Sequence, residues 1–330
     1  MALLAALGEG QSDTRLAFGC ETADLDGLTA AAALLDTPEV QSRIKAGMGE
    51  GLAYGAACQA ALDAEGELGA LLKTPNNLLG IAYLRAIRRL GVDITALPVM
   101  RRGVDHDSQT PIEGYASATH LRGLLHAPSS DVPWPYMPSV AAEIFQRELA
   151  QGRGPASLEQ LEATVLTLLR LRKPPEGGYL DDSEGLSIRI AAVAARVGSL
   201  CELLEQAKTK RYHLSRIRRL VLAMCLGLRP AHRPQIPPYL RVLAANQTGM
   251  ALLRGAAKTA SLPILSRPGG VKHLGPAAEE IMAKEAAVTD LMALCFEGPA
   301  RIGGGEWRTV PYVVGEEGAV RGRIYKDWMT

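Results

Sequence analysis

Aromatic residues are scarce in this 330-residue chain, at 5% of the total. Alanine and leucine dominate instead, so most of the core is expected to be helix against helix. Cysteine is also sparse: Cys20, Cys58, Cys201, Cys225 and Cys295 are scattered, odd in number, and share no CxxC spacing. That argues against a zinc site or a disulfide framework and fits a reduced, cytoplasmic compartment. No apolar run comes near the ~20 residues that span a bilayer. The longest lies around Leu220–Leu228, so no membrane partner is expected. The opening MALLAALGEG lacks a basic lead and is too short for a secretory signal. No charge sign prevails, with 36 Lys and Arg against 35 Asp and Glu. Any nucleic-acid footprint must then be a local patch.

What is present reads as two regions. Residues 16–19, LAFG, form a short strand end, and 28–35 and 52–62 are alanine-rich helices, the first stopped near Pro38. Leu79, Tyr83, Ile87 and Leu90 share one helical face, with Arg85, Arg88 and Arg89 elsewhere around it and Gly91 as the stop. Residues 94–100 read as a strand, 103–114 as a polar loop and 116–125 as a helix. Strand, helices, strand and helix make an α/β pattern. The proline-rich APSSDVPWPYMP at 127–138 marks a boundary, giving regions 1–127 and 128–330. Helical spacing prevails beyond it. Strands return in YLRVLAAN, LPILS and TVPYVV, with a helix near 277–295.

Several clusters carry chemistry. Asn76 and Asn77 stand at a helix start in PNNLLGIAYL. One amide caps a helix; a second is free to read a base or a ribose hydroxyl. In ASATHLR, Ser117 and Thr119 can cradle a phosphate beside Arg122, or simply cap. Arg101 and Arg102 end a strand, where α/β ligands sit, or are a surface basic pair. The segment KTKRYHLSRIRRL places Lys208, Lys210, Arg211, Arg216, Arg218 and Arg219 around a core face of Ile217, Leu220, Val221 and Met224. It is a solvated face or a cationic surface for RNA phosphates, with Tyr212 as a base-stacking or a packing residue. Asp181, Asp182 and Glu184 form a metal cluster or, preferably, a cap for the helix near Gly185. Trp134 and Tyr136 are expected to pin two domains together. His106 between Asp105 and Asp107 is a remote candidate base.

These segments, with LAFGCE, PVMRR, EGLSIRI and YLRVLAANQTG, occur in the order that resembles the tRNA(Met) cytidine acetate ligase family over nearly the whole chain. The resemblance implies an α/β fold: a Rossmann-like nucleotidyltransferase domain, incomplete at its N-terminus, followed by a mainly α-helical region with a few late strands. It implies ATP-dependent acetylation of N4 of the wobble cytidine of elongator tRNA(Met), with acetate activated as acetyl-adenylate. ATP would be the substrate nucleotide, accompanied by magnesium, and tRNA and acetate the partners. Gly19, Asn76, Asn77, Arg101 and Arg102, with Ser117 and Thr119, would form the nucleotide site. The basic segment would contact tRNA.

One departure matters. Related ligases begin with a strand and a His-X-Gly-His loop that stabilises the leaving pyrophosphate. The histidines here, at 106, 120, 126, 213, 232 and 273, form no such motif. The expectation is a chain starting late in the family's first domain, and inefficient adenylation. Two alternatives remain: a non-catalytic RNA-binding homologue, and a nucleotidyltransferase of other specificity.

Overall fold

The computed structural model describes residues 14–52, 54–101, 110–112, 114–126, 132–182, 185–209, 212, 214–314 and 320–322. The chain divides into two compact units. One comprises Met1–Gly103 with Leu252–Leu262, the other Val104–Ala251 with Pro263–Thr330. The sequence placed its boundary later, at 127/128.

The first unit is a parallel strand pair joined by a helical crossover. Strand β1 (Arg15–Cys20) pairs with β2 (Thr95–Met100) in register from Arg15↔Thr95 to Cys20↔Met100. Between them run α1 (Leu25–Leu34), α2 (Pro38–Gly49), α3 (Tyr54–Leu62), α4 (Glu67–Leu71) and α5 (Pro75–Leu90). Asp24 caps α1, its Oδ1 accepting from Gly27 N at 3.0 Å. Helix α1 ends before Pro38, as expected, and Pro38 itself starts α2 from the first-turn position, where its missing N–H costs nothing. Gly91 closes α5 in the left-handed region at φ 61°. Leu28, Leu35, Leu62 and Ile81 fill the core, each burial favourable by about 1.5–3 kcal/mol.

Helix α5 buries a different face from the one its leucines suggest. Asn77, Gly80, Ile81, Leu84 and Arg85 turn inward, while Leu79 and Leu90 are 48% and 45% exposed. Gly80 is there because Phe18 of β1 lies on it: a Cβ would sit 2.5 Å from the ring. The same ring meets Tyr83 edge-on at 5.8 Å. Arg85, expected outside, is buried and donates to Asp36 at 2.7 and 3.0 Å and to the Tyr54 hydroxyl at 2.8 Å. Arg89 reaches the same carboxylate at 2.5 Å.

The second unit is mainly helical. Its helices are α6 (Ala118–His126), α7 (Ser139–Ala150), α8 (Glu162–Leu171), α9 (Leu186–Ala194), α10 (Leu200–Ala207) and α11 (Leu214–Leu226). Ile190, Leu203, Ile217 and Leu220 are wholly buried among them. Two arginines tie helix ends, as cations suit C-terminal carbonyls. Arg170 donates to the carbonyls of Ala194 and Val197, and Arg189 to those of Gln206 and Ala207. Trp134 and Tyr136 pack within this unit, on Phe145 and His120.

The late strands are short. β3 (Leu240–Arg241) pairs with β5 (Ile264–Leu265), and β4 (Ala244–Asn246) with β6 (Tyr312–Val314), both in parallel; β6 pairs antiparallel with β7 (Val320–Gly322). Helix α12 (Gln247–Thr259) follows β4, α13 (Pro276–Ala293) follows β5, and α14 (Gly305–Arg308) precedes β6. No helix among the described residues is long and apolar enough to cross a membrane.

Candidate functional site

The carboxyl ends of β1 and β2 lie side by side because the pair is parallel. Arg101, just past β2, donates its backbone N–H to Cys20 O at 2.9 Å. Its side-chain stem lies beside Gly19, where a Cβ would meet Cγ at an ordinary 3.5 Å. Gly19 is exposed and carries no positive φ. Its value there is open backbone at the strand end. The Arg101 guanidinium pairs with no carboxylate among the described residues.

The asparagine pair faces this edge, and neither amide is the cap of α5. The N-cap position is Thr74, whose hydroxyl makes no cap hydrogen bond. The cap comes instead from Glu21, 55 positions away in sequence. Its carboxylate accepts from Asn77 N at 2.9 Å, Asn76 N at 3.4 Å and Asn76 Nδ2 at 2.5 Å. The Asn77 amide returns the interaction. Its Oδ1 accepts from the N–H groups of Glu21 and Thr22 at 3.0 and 3.1 Å, and Nδ2 donates to Thr22 Oγ1 at 3.4 Å. The start of α5 and the turn after β1 are therefore laced together.

Burial pushes the Glu21 carboxyl up, but hydrogen bonds from the Asn76 side chain and the Asn77 backbone outweigh it and hold the group below the ordinary glutamate range. The Thr74 hydroxyl adds to this from nearby without reaching hydrogen-bond geometry. A helix N-terminus is an anion site, and here Glu21 occupies it. Asn77 is 1% exposed and shapes the turn. The Asn76 Oδ1 accepts no hydrogen bond among the described residues. Burial and the neighbouring Glu21 both push the Cys20 thiol up, which keeps it protonated and a poor nucleophile.

The other candidate residues fall as follows. Arg102 and the Asp105–His106–Asp107 loop lie outside the described residues, as do Lys210 and Arg211. Ser117 acts as a cap: its Oγ accepts from His120 N at 3.0 Å. Thr119 contacts Arg122 at 3.4 Å, and both belong to the second unit. Asp182 caps α9, accepting from the Ser187 N–H and hydroxyl. Asp181 pairs with Arg233. No group of three His, Cys, Asp or Glu among the described residues is placed to hold a metal ion. On α11, Arg218 and Arg219 face solvent, as does Lys208 before it, while Ile217, Leu220, Val221 and Met224 are buried. Arg216 lies 5.1 Å over the ring of Tyr212, which is itself in the core. Tyr212 therefore packs, and does not offer its face to a base.

Parallel strands joined by a helical crossover, with an exposed arginine at their carboxyl ends, make this an α/β protein of the kind that binds nucleotides at a strand edge. Consistent with this, the profile of the HIGH Nucleotidyl Transferase family matches residues 3–302. The tRNA(Met) cytidine acetate ligase of Caldanaerobacter subterraneus subsp. tengcongensis is 31% identical over 260 residues, 76% of this chain and 64% of its own length. That of Syntrophomonas wolfei subsp. wolfei is 31% identical over 326 residues, 90% of this chain and 76% of the relative. Thermotoga maritima TmcAL, in a crystal structure bound with alpha-thio ATP, superposes with a TM-score of 0.81 at 25% identity, covering 95% of this chain and 78% of that one. The chain belongs to the tRNA(Met) cytidine acetate ligase family, within the HIGH nucleotidyl transferases.

Proposed function

We propose that this protein acetylates N4 of the wobble cytidine of elongator tRNA(Met), with ATP and acetate as co-substrates. What carries the reading is the convergence of Gly19, Asn76 and Arg101 at one strand edge, in a chain whose fold matches an ATP-analogue-bound relative. An acetate oxygen attacks the α-phosphorus, the bond to the β-phosphate bridging oxygen breaks, and pyrophosphate leaves. The cytidine N4 then attacks the acetyl carbonyl, loses a proton, and AMP departs. In this scheme Gly19 lets the nucleotide lie against the backbone, Asn76 Oδ1 accepts from the adenosine, and Arg101 meets phosphate charge. Glu21 and Asn77 position them. Lys208, Arg216, Arg218 and Arg219, with Lys210 and Arg211, supply cations for the tRNA backbone.

A second reading, a non-catalytic RNA-binding homologue, is favoured by one observation: no His-X-Gly-His occurs in the 330 residues. The two separate in one assay set. Labelled acetate is followed into tRNA(Met), and acetate-dependent exchange of labelled pyrophosphate into ATP is measured. The ligase reading predicts ATP-dependent incorporation with slow exchange, since the 330 residues carry no His-X-Gly-His loop to stabilise the leaving pyrophosphate. Binding of tRNA(Met) with neither exchange nor incorporation supports the second reading.

A further inference from the structure

The second unit holds a cavity of about 380 Å3 lined by none of the residues named for the nucleotide site. It lies at the C-terminal ends of α8 and α11 and against α13. Arg172, Lys173, Arg229 and Lys284 line it, against Glu176 and Glu280 as the carboxylates. Two helix C-termini contribute about half a negative charge each, which leaves roughly one positive charge uncompensated.

The cations differ in what they already hold. Arg229 pairs with Glu280, and His232 meets the same carboxylate at 2.9 Å. His232 Nδ1 accepts the Arg229 N–H at 2.8 Å, which fixes the tautomer and leaves Nε2–H to donate to Glu280. Both contacts fall on one oxygen of Glu280, Oε1. Lys284 donates to Leu226 O at 3.0 Å. Arg172 is set against Gly227, where a Cβ would fall 2.8 Å from Nη1. The side chains of Arg172 and Lys173 have no hydrogen-bond or ion-pair partner among the described residues. Burial pushes the Lys284 ammonium down, Arg172 and Arg229 push the same way, and Glu280 opposes them. The cluster thus carries more positive charge than its own carboxylates offset.

We propose that this cavity binds a phosphate group of the RNA backbone through Arg172 and Lys173, with Lys284 behind them. An arginine fork matches the tetrahedral oxyanion, and the polar walls suit a hydrated diester. A second feature agrees. Arg218 and Arg219 lie on the same helix, α11, that ends at the cavity. Eight residues separate Arg219 from Gly227, about 12 Å along a helix. A strand following α11 would meet both. The inference rests on the RNA-modifying reading above.

The test uses the full chain, a fluorescein-labelled elongator tRNA(Met) transcript and inorganic phosphate. The variant R172Q/K173Q removes two exposed, unpartnered charges. K45Q/K73Q removes two exposed charges from the first unit as a control. The proposal predicts that R172Q/K173Q binds the transcript about tenfold more weakly at 0.1 M salt, with the log–log salt slope shallower by about one to two. The control should match the unaltered protein. Broadening of the phosphorus-31 line of inorganic phosphate by the protein should also diminish in R172Q/K173Q. Loss of phosphate binding with unchanged RNA affinity and slope would assign the cavity to a free oxyanion and overturn the proposal. Unchanged behaviour in both arms would overturn it outright. If the unaltered protein binds no tRNA, the RNA-modifying reading falls together with this one. If it binds but R172Q/K173Q is unaffected, only the cavity assignment falls.

Discussion

Replacing Glu21 by glutamine tests how the strand end and the asparagine helix are joined. The carboxylate receives two short hydrogen bonds, from Asn76 Nδ2 and Asn77 N, and a longer one from Asn76 N. Glutamine keeps one acceptor oxygen but loses the charge and turns an NH2 toward N–H donors. One charge-assisted bond is worth about 1.5–3 kcal/mol, and the helix-terminus term about 0.3–1 kcal/mol. The site is only partly buried, so solvent screening places the expected loss near 2 kcal/mol. For the first unit, residues 1–103 with 252–262, that corresponds to a fall of roughly 8 °C in Tm. The tryptophans, at 134, 307 and 328, all lie outside residues 1–103, so urea titration followed by far-UV circular dichroism is the suitable assay. The folded-state pKa of Glu21 is depressed. Its stabilisation is therefore complete above the ordinary glutamate value of about 4.3 and disappears as pH falls through the lower folded value. The gap between E21Q and the unaltered protein should be full at pH 7 and shrink below about pH 4.3. A gap of the same size at pH 7 and at the lowest pH where both fold would refute the carboxylate cap.

Three further outcomes follow from the geometry. Gly80→Ala gains about 1 kcal/mol of helix propensity, but its Cβ meets the buried Phe18 ring at 2.5 Å. Overpacking costs about 1–3 kcal/mol, so thermal denaturation should show net destabilisation, and a stabilised variant would contradict the packing. Asp36→Asn leaves Arg85 buried without its partner and should cost about 2–4 kcal/mol in chemical denaturation. Burial pushes the Asp36 carboxyl up, yet bonds from Arg85 and Arg89 outweigh it and hold the group low. The variant's deficit should accordingly vanish as pH falls through that depressed value, and a pH-independent deficit would count against the ion pair. The double change R218A/R219A should weaken tRNA(Met) binding and make its salt slope shallower by about one to two; an unchanged slope would remove α11 from the RNA surface.

The helix at 75–90 was legible from its spacing, but its inward face was not. That face is built from Asn77, Gly80 and Arg85 as well as Ile81 and Leu84, and a hydrophobic pattern cannot see polar or side-chain-free positions. Their burial is decided by Glu21, Phe18 and Asp36, each tens of residues away in sequence. Helix α2 was missed for a local reason: Pro38 was read as a stop, although the first turn of a helix suits proline. Glu21 stood in the quoted LAFGCE, yet nothing within that segment signals a helix cap. On α11 the pattern sufficed, because Ile217, Leu220, Val221 and Met224 make an unbroken apolar stripe. Of the late strands, β5 and β6 lie within the expected LPILS and TVPYVV, and YLRVLAAN contains two separate short strands, β3 and β4, while β7 (Val320–Gly322) was not read from the sequence.

The central claim is that Gly19, Asn76 and Arg101 hold one adenine nucleotide at the carboxyl edge of β1 and β2. Isothermal titration of ATP into the unaltered chain and into R101Q tests it most directly, since Arg101 is exposed and its loss should not disturb folding. The account predicts saturable 1:1 binding, weakened about tenfold in R101Q, equivalent to about 1.4 kcal/mol. Equal affinity in the two proteins would contradict it.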